Sequence, residues 1–165
     1  PVPISVNISR EYIHTFDVVG EMLHLVNKYD IPIKLLELEI TETTDSEGVS
    51  DVVQKMKDAG FTMLMDDFGS GYSSLNMLQK TQFDVLKIDR GFLSEFMESS
   101  RGRKIISHTI SMSRDIGLDI IAEGVETPEQ ASFLSDCGCD SAQGFYYSKP
   151  ITQEEFDKML VEVNK

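Results

Sequence analysis

Two adjacent carboxylates, Asp66 and Asp67, close an apolar run and are followed by a turn rich in glycine and hydroxyl groups. An ordinary strand end does not need two acids side by side, because their charges repel each other. A divalent cation between them would remove that repulsion, since hard divalent metals prefer carboxylate oxygens. The pair therefore predicts a site for a hard metal ion.

Polar side chains end the other apolar runs of the chain in the same way. They are Asn7, Glu39, Glu42, Lys87, Asp89, Glu123, Glu126 and Gln143. In parallel βα folds, functional residues stand at the carboxyl ends of the strands. The repeated pattern indicates one active site, built at one end of a parallel sheet.

The residue types at these strand ends are those of a metal-dependent phosphoryl hydrolase. Asn7 and Glu39 offer hard oxygen ligands, and Asp67 beside Asp66 would let Asp66 bridge two ions. A two-metal site activates a water and stabilises both the entering and the leaving oxygen of an in-line displacement. Lys87 would supply positive charge beside that site.

Two further residues complete this hypothetical site. Glu123 is placed to act as a ligand or a general base, and Gln143 could hydrogen-bond a water or the substrate. Each residue alone is weak support, since a lone Asp-Asp pair more often caps a helix and a lone lysine usually reaches solvent at an edge. The joint pattern is stronger, because every polar residue follows its own apolar run.

The elements that must position these residues alternate along the chain. The predicted strands are 4–9, 34–41, 62–67, 84–89, 119–124 and 141–147. The predicted helices are 10–29, 47–59, one from 73, 103–116, 127–138 and one from 152. Such βα units wind a parallel sheet with helices outside. We therefore predict an α/β fold of about six strands in one domain, short of the about eight strands of a closed barrel.

Composition narrows the function classes. The net charge of −13 argues against a nucleic-acid polymer as partner, which would need clustered Lys and Arg. No apolar run approaches the roughly 20 residues of a membrane span. Cys137 and Cys139 match neither a zinc nor a redox spacing, and we interpret them as reduced thiols of a cytoplasmic protein.

The sequence resembles the EAL-domain family of cyclic-di-GMP phosphodiesterases along essentially its whole length. The matching segments are 5–9 (SVNIS), 39–42 (EITE), 66–74 (DDFGSGYSS), 86–89 (LKID), 122–126 (AEGVE) and 138–150 (GCDSAQGFYYSKP). The resemblance implies a modified TIM barrel that hydrolyses cyclic-di-GMP to linear pGpG in bacterial second-messenger signalling. It also implies a two-metal site for Mg²⁺ or Mn²⁺.

The resemblance assigns a role to each residue by position. The first metal would bind Asn7, Glu39 and Asp66, and the second would bind Asp66 and Asp67. Lys87 would be the catalytic lysine that orients the water, and Glu123 would be a metal ligand or the base. The supporting or substrate-binding positions would be Glu42, Asp89, Glu126 and Gln143. In the family, the residue at the position of Glu42 holds the loop after Asp67, which is linked to dimerisation.

One departure from the family is that the Glu-Ala-Leu motif is not in this sequence. We expect residues 1–165 to be the C-terminal portion of an EAL-like phosphodiesterase barrel, inactive alone but part of an active enzyme. The alternative is a catalytically inactive EAL-like module that binds cyclic-di-GMP or a protein partner. Self-association, as a homodimer or otherwise, is a further expectation, and so are upstream sensory or GGDEF domains.

Overall fold

Six parallel strands form a single sheet, in which each strand pairs with the next one along the chain. The computed structural model describes residues 2–15, 17–41, 48–71 and 74–163. The strands are β1 (Ile4–Asn7), β2 (Leu36–Thr41), β3 (Thr62–Phe68), β4 (Val85–Ile88), β5 (Asp119–Ala122) and β6 (Ser141–Ala142). Within the described residues the sheet ends at β1 and β6. This half-barrel confirms the predicted fold class.

Eight helices alternate with the strands in the described part of the chain. They are α1 (Arg10–Thr15), α2 (Val18–Lys28), α3 (Val49–Asp58), α4 (Ser74–Lys80), α5 (Arg90–Met97), α6 (Ser100–Asp115), α7 (Pro128–Asp136) and α8 (Gln153–Val163). A short 3₁₀ helix (Ile33–Leu35) leads into β2. Among these helices, none has the length and apolar content needed to cross a lipid bilayer.

The central strands are buried because helices cover one face of the sheet and side chains fill the other. All four residues of β4 are buried, and so are Met63, Leu64 and Met65 of β3. One apolar cluster joins β2 and β3 to α2 and α3, and a second joins β4 and β5 to α5, α6 and α7. Met63 and Met65, on either side of Leu64, are fully buried and fill the core.

The helices differ from the prediction in two places. The single helix expected at 10–29 is two helices, because Asp17 accepts a hydrogen bond from the backbone N–H of Gly20 and begins α2 as its N-cap. Helix α5 was not predicted. Its N-cap is Asp89, whose side chain accepts from the N–H groups of Gly91 and Phe92.

The strand predicted at 141–147 was too long, since β6 ends at Ala142. The chain turns at Gly144, whose carbonyl accepts from the N–H groups of Tyr147 and Ser148. Phe145, Tyr146 and Tyr147 are about half exposed instead of alternating into the core. Three consecutive aromatic residues favoured a strand, but the pairing of β6 with β5 stops before them.

Gly102 of α6 is a sensitive packing point, and we predict that Gly102→Ala lowers the free energy of unfolding by about 1–3 kcal/mol. A Cβ at this position would lie 2.0 Å from the backbone carbonyl oxygen of Phe96, so α5 and α6 would have to separate. Urea denaturation followed by circular dichroism measures the change. Ser111→Ala, at an exposed position of the same helix, is the control and should change stability little. Equal stabilities of the two variants would contradict the packing argument.

Candidate active site

The buried ammonium group of Lys87 is the centre of the polar cluster at the carboxyl ends of the strands. Its Nζ atom lies 2.8 Å from Oε1 of Glu39, 3.1 Å from Oδ1 of Asp66 and 2.7 Å from Oε1 of Glu123. Only 6% of Lys87 is exposed, with 4% of Glu39 and 8% of Asp66. One cation therefore contacts three carboxylates in a site that holds little solvent.

Strand register explains why these residues meet. Asn7 pairs with Glu39 between β1 and β2, and Thr41 pairs with Asp66 between β2 and β3. Glu123 directly follows β5, and its N–H donates to the carbonyl of Ile88 at the end of β4. Parallel strands run in the same direction, so residues that end them share one edge of the sheet.

Gln143 joins the cluster from the end of β6. Its side-chain Nε2 donates to Oε1 of Glu123 at 2.6 Å, the same oxygen that Lys87 contacts. Its backbone N–H donates to the carbonyl of Ala122, and its carbonyl accepts from Val125. The backbone of Gln143 is thus held by β5 and the residue Val125, and its side-chain amide contacts the Glu123 carboxylate, which also contacts Lys87.

Asp67 adopts a left-handed backbone conformation, with φ of 59°. The register between β3 and β4 shifts between Met65 and Phe68, so an irregularity falls at the two aspartates. Left-handed non-glycine residues are strained and concentrate at functional sites, and bulges re-aim side chains there. The N–H of Asp67 donates to Oδ1 of Asp66 at 3.0 Å, which orients the first carboxylate.

Electrostatics in the cluster favour protonation. Burial lowers the pKa of Lys87, but its hydrogen bonds with Glu123 and Glu39 outweigh burial and hold the pKa above its ordinary value. Burial raises the pKa of Glu123, and the attraction of Lys87 offsets this only in part. Burial and the neighbouring charge of Asp66 also raise the pKa of Asp67. Lys87 therefore stays charged, and the two acids are shifted toward the range in which a general base works.

The remaining predicted residues have distinct surroundings. Asn7 is exposed on the edge strand beside Glu39. Asp89 caps α5, and Glu126 forms an ion pair with Arg90. Glu42 lies outside the described residues. Arg90 was not among the predicted site residues, although its offset of three from Lys87 matches that of Glu126 from Glu123.

The donor set has the chemistry of a site for a hard divalent cation, since Asn7, Glu39, Asp66 and Asp67 offer only oxygen ligands. The arrangement of these side chains is that of a lysine-bound cluster. Among the described residues, no three Asp, Glu, His or Cys side chains are placed so that they could hold a metal ion. These donors therefore have the chemistry that a metal ion needs, while two of them, Glu39 and Asp66, contact the ammonium group of Lys87.

Comparison with curated proteins finds similar sequences in bacterial signalling proteins. The chain is 33% identical over 162 residues to the signaling protein YkoW of Bacillus subtilis, covering 96% of this chain and 20% of YkoW. It is 31% identical over 160 residues to the cyclic di-GMP phosphodiesterase NbdA of Pseudomonas aeruginosa, covering 95% of this chain and 20% of NbdA. The chain thus spans about a fifth of the length of these relatives.

Solved structures share both the fold and the sequence. The EAL domain of Mycobacterium smegmatis DcpA superimposes with a TM-score of 0.90 at 33% identity, covering 97% of this chain and 73% of DcpA. A manganese/cy-diGMP complex of Klebsiella pneumoniae BlrP1 superimposes with a TM-score of 0.82 at 28% identity, covering 90% of this chain and 39% of BlrP1. The family model described as the EAL domain matches residues 1–150. With the lysine and carboxylates of its motifs gathered at one edge of a parallel half-barrel, the chain belongs to the EAL domain family.

Proposed function

We propose that this chain carries the catalytic residues of a cyclic-di-GMP phosphodiesterase, which adds water across one phosphodiester bond and releases linear pGpG. The observation that supports it most is the buried contact of Lys87 with Glu39, Asp66 and Glu123. These residues come from four neighbouring strand ends of a fold whose relatives include NbdA, named a cyclic di-GMP phosphodiesterase.

The charge and burial of each residue in the cluster suggest its role in the reaction. Lys87, held charged, places positive charge where a phosphate oxygen or an attacking water would lie. Glu123, with its raised pKa, would accept a proton from that water. Gln143 fixes the orientation of the Glu123 carboxylate through its 2.6 Å hydrogen bond.

We propose that Asn7, Glu39, Asp66 and Asp67 hold Mg²⁺ or Mn²⁺, in the two-metal arrangement that the family resemblance implies. When bound, such ions lower the pKa of water and stabilise charge on phosphate oxygens. The manganese/cy-diGMP complex of BlrP1 supports a divalent metal for a similar domain. Glu42, Asp89 and Glu126 would support the site without contacting the reacting atoms.

Incubation with cyclic-di-GMP tests the proposal. The chain and its full open reading frame would each be incubated with Mg²⁺, Mn²⁺ or a chelator, and the products separated by chromatography. We expect pGpG from the full reading frame with metal, none with chelator, and little from the 165 residues alone. A full reading frame that binds cyclic-di-GMP without hydrolysing it would contradict the enzyme and support the inactive binding module.

We also propose how this chain fits into the whole protein and where that protein is located. Residues 1–165 would act as the C-terminal portion of the barrel, which fits the coverage of 73% of the DcpA domain. The edge strand β1 exposes Ile4 and Val6, which favours association with another copy or with further barrel strands. We place the protein in the cytoplasm, with sensory or GGDEF domains on the same polypeptide.

A further inference from the structure

A second ion pair joins the two segments that carry Lys87 and Glu123. The guanidinium Nη2 of Arg90 lies 2.7 Å from Oε1 of Glu126. Arg90 follows Lys87 by three residues, and Glu126 follows Glu123 by three. We call Lys87–Glu123 the inner pair and Arg90–Glu126 the outer pair. Both bridge the same neighbouring strand ends, so the outer pair lies one step farther from the sheet.

The aliphatic stem of Arg90 packs on the residue that follows Glu123. That residue is Gly124, at φ of 65°, and a Cβ built on it would lie 2.3 Å from Cγ of Arg90. The backbone of Arg90 is in turn held at the start of α5, because Asp89 caps the helix. The arginine therefore covers the backbone of Gly124 with a side chain whose origin is fixed.

The far end of the same loop is anchored by other elements. The N–H of Glu126 donates to Oε1 of Gln130 at 2.7 Å, as part of the capping region of α7. The N–H of Val125 donates to the carbonyl of Gln143. Of the residues after Glu123, Val125 is thus held by the end of β6, Glu126 by α7, and Gly124 by the stem of Arg90.

We infer that Arg90 is a positioning residue, which holds the Gly124 turn through the outer pair and thereby keeps Glu123 against Lys87. Glycine has the widest backbone freedom of any residue, so a Gly124 that lost its cover would let Glu123 move. The outer pair is too exposed to stabilise the fold much, at 63% and 42% of the two side chains. We therefore expect the outer pair to affect the position of Glu123 and not the stability of the fold. Only the consequence for turnover rests on the proposed function.

Three substitutions separate the charge of Arg90 from its stem. Arg90→Lys keeps both, Arg90→Met keeps most of the stem without the charge, and Arg90→Ala removes both. The matched control is Glu129→Gln, which breaks the exposed Arg103–Glu129 pair of similar geometry at 2.6 Å. The readout is the NMR signals of the Lys87 ¹⁵Nζ ammonium and the Glu123 ¹³Cδ carboxylate, in metal-free chain without substrate.

We expect the Lys87 and Glu123 signals to shift in the order Arg90→Ala, then Arg90→Met, with Arg90→Lys near wild type. The melting temperature should stay close to that of wild type. Signals in Arg90→Ala that move no more than in Glu129→Gln would overturn the inference. This measurement needs no catalysis, so it stands or falls apart from the proposed hydrolysis.

Turnover is a second readout, and it is measured on the full reading frame, for which we propose hydrolysis of cyclic-di-GMP. Arg90→Ala should lower kcat roughly ten- to a hundredfold with KM little changed, because misplacement of a reacting group by about 1 Å costs up to that much. Arg90→Lys should restore most of kcat. A variant that raises KM alone, with kcat unchanged, would overturn the positioning role and make Arg90 a substrate contact.

Discussion

Lys87→Met is expected to lower the free energy of unfolding by about 3–5 kcal/mol, the cost of removing one partner from a buried ion pair. The substitution keeps the length of the side chain but takes the ammonium from three carboxylates. Glu39 and Asp66 are almost fully buried, so water cannot replace the lost contacts. This loss of stability should shrink as the pH falls below 7. Burial raises the pKa of Glu123, and the substitution removes the attraction of Lys87 that partly offsets burial, so protonation of Glu123 removes one of the unpaired negative charges.

Urea denaturation of the two proteins in the presence of a chelator measures this difference. The control is Lys57→Met, since Lys57 contacts Asp84 at 2.7 Å but the two side chains are 23% and 35% exposed. Solvent reaches both side chains of this pair, and such ion pairs contribute about 0–1 kcal/mol. A Lys87→Met variant as stable as Lys57→Met would show that the carboxylate cluster does not depend on its lysine.

In the full reading frame, Glu123→Gln is expected to reduce the hydrolysis of cyclic-di-GMP about 10²- to 10⁴-fold, the range for loss of a general base. The amide keeps the size of the side chain and can still hydrogen-bond Gln143, but it cannot accept a proton from water. Binding of cyclic-di-GMP should survive far better than turnover, because the substitution leaves the other side chains of the cluster in place.

Chromatographic measurement of pGpG formation, together with calorimetric titration of cyclic-di-GMP, separates turnover from binding. Glu154→Gln is the control, because Glu154 is an exposed acid in the first turn of α8, and its activity should equal that of wild type. A Glu123→Gln variant with wild-type turnover would remove Glu123 from the proposed mechanism. A variant that loses binding as strongly as turnover would make Glu123 a binding residue.

The gathering of site residues was predictable where each one ends a strand. Asp66, Lys87 and Glu123 each follow or close an apolar run, and parallel strands bring such positions to one edge. Their roles as metal ligands or catalysts remain predictions. Asp89 belongs to the same pattern, yet its side chain caps α5. A polar residue after a strand can serve the next helix as well as the site, and sequence alone does not separate the two.

The errors arose where local patterns compete. The aromatic run at 145–147 has the composition of a strand, but Gly144 and the hydrogen bond from Tyr146 to Val125 turn the chain away from the sheet. Asp17 interrupted an otherwise continuous helical pattern by capping α2. In each case a few local hydrogen bonds outweighed a preference spread over several residues: one is accepted by the side chain of Asp17, and the others by the carbonyls of Val125 and Gly144.

The sequence by itself determined the parallel α/β class, the direction of the strands and the membership of the EAL family, because periodicity and motifs are properties of short segments. The tertiary structure decided that Lys87 is the common partner of three carboxylates, that Asp67 is left-handed and that Arg90 covers Gly124. Lys87 and Glu39 are 48 residues apart in the chain. Such contacts depend on the register of four strands and the reach of individual side chains, which no short segment encodes.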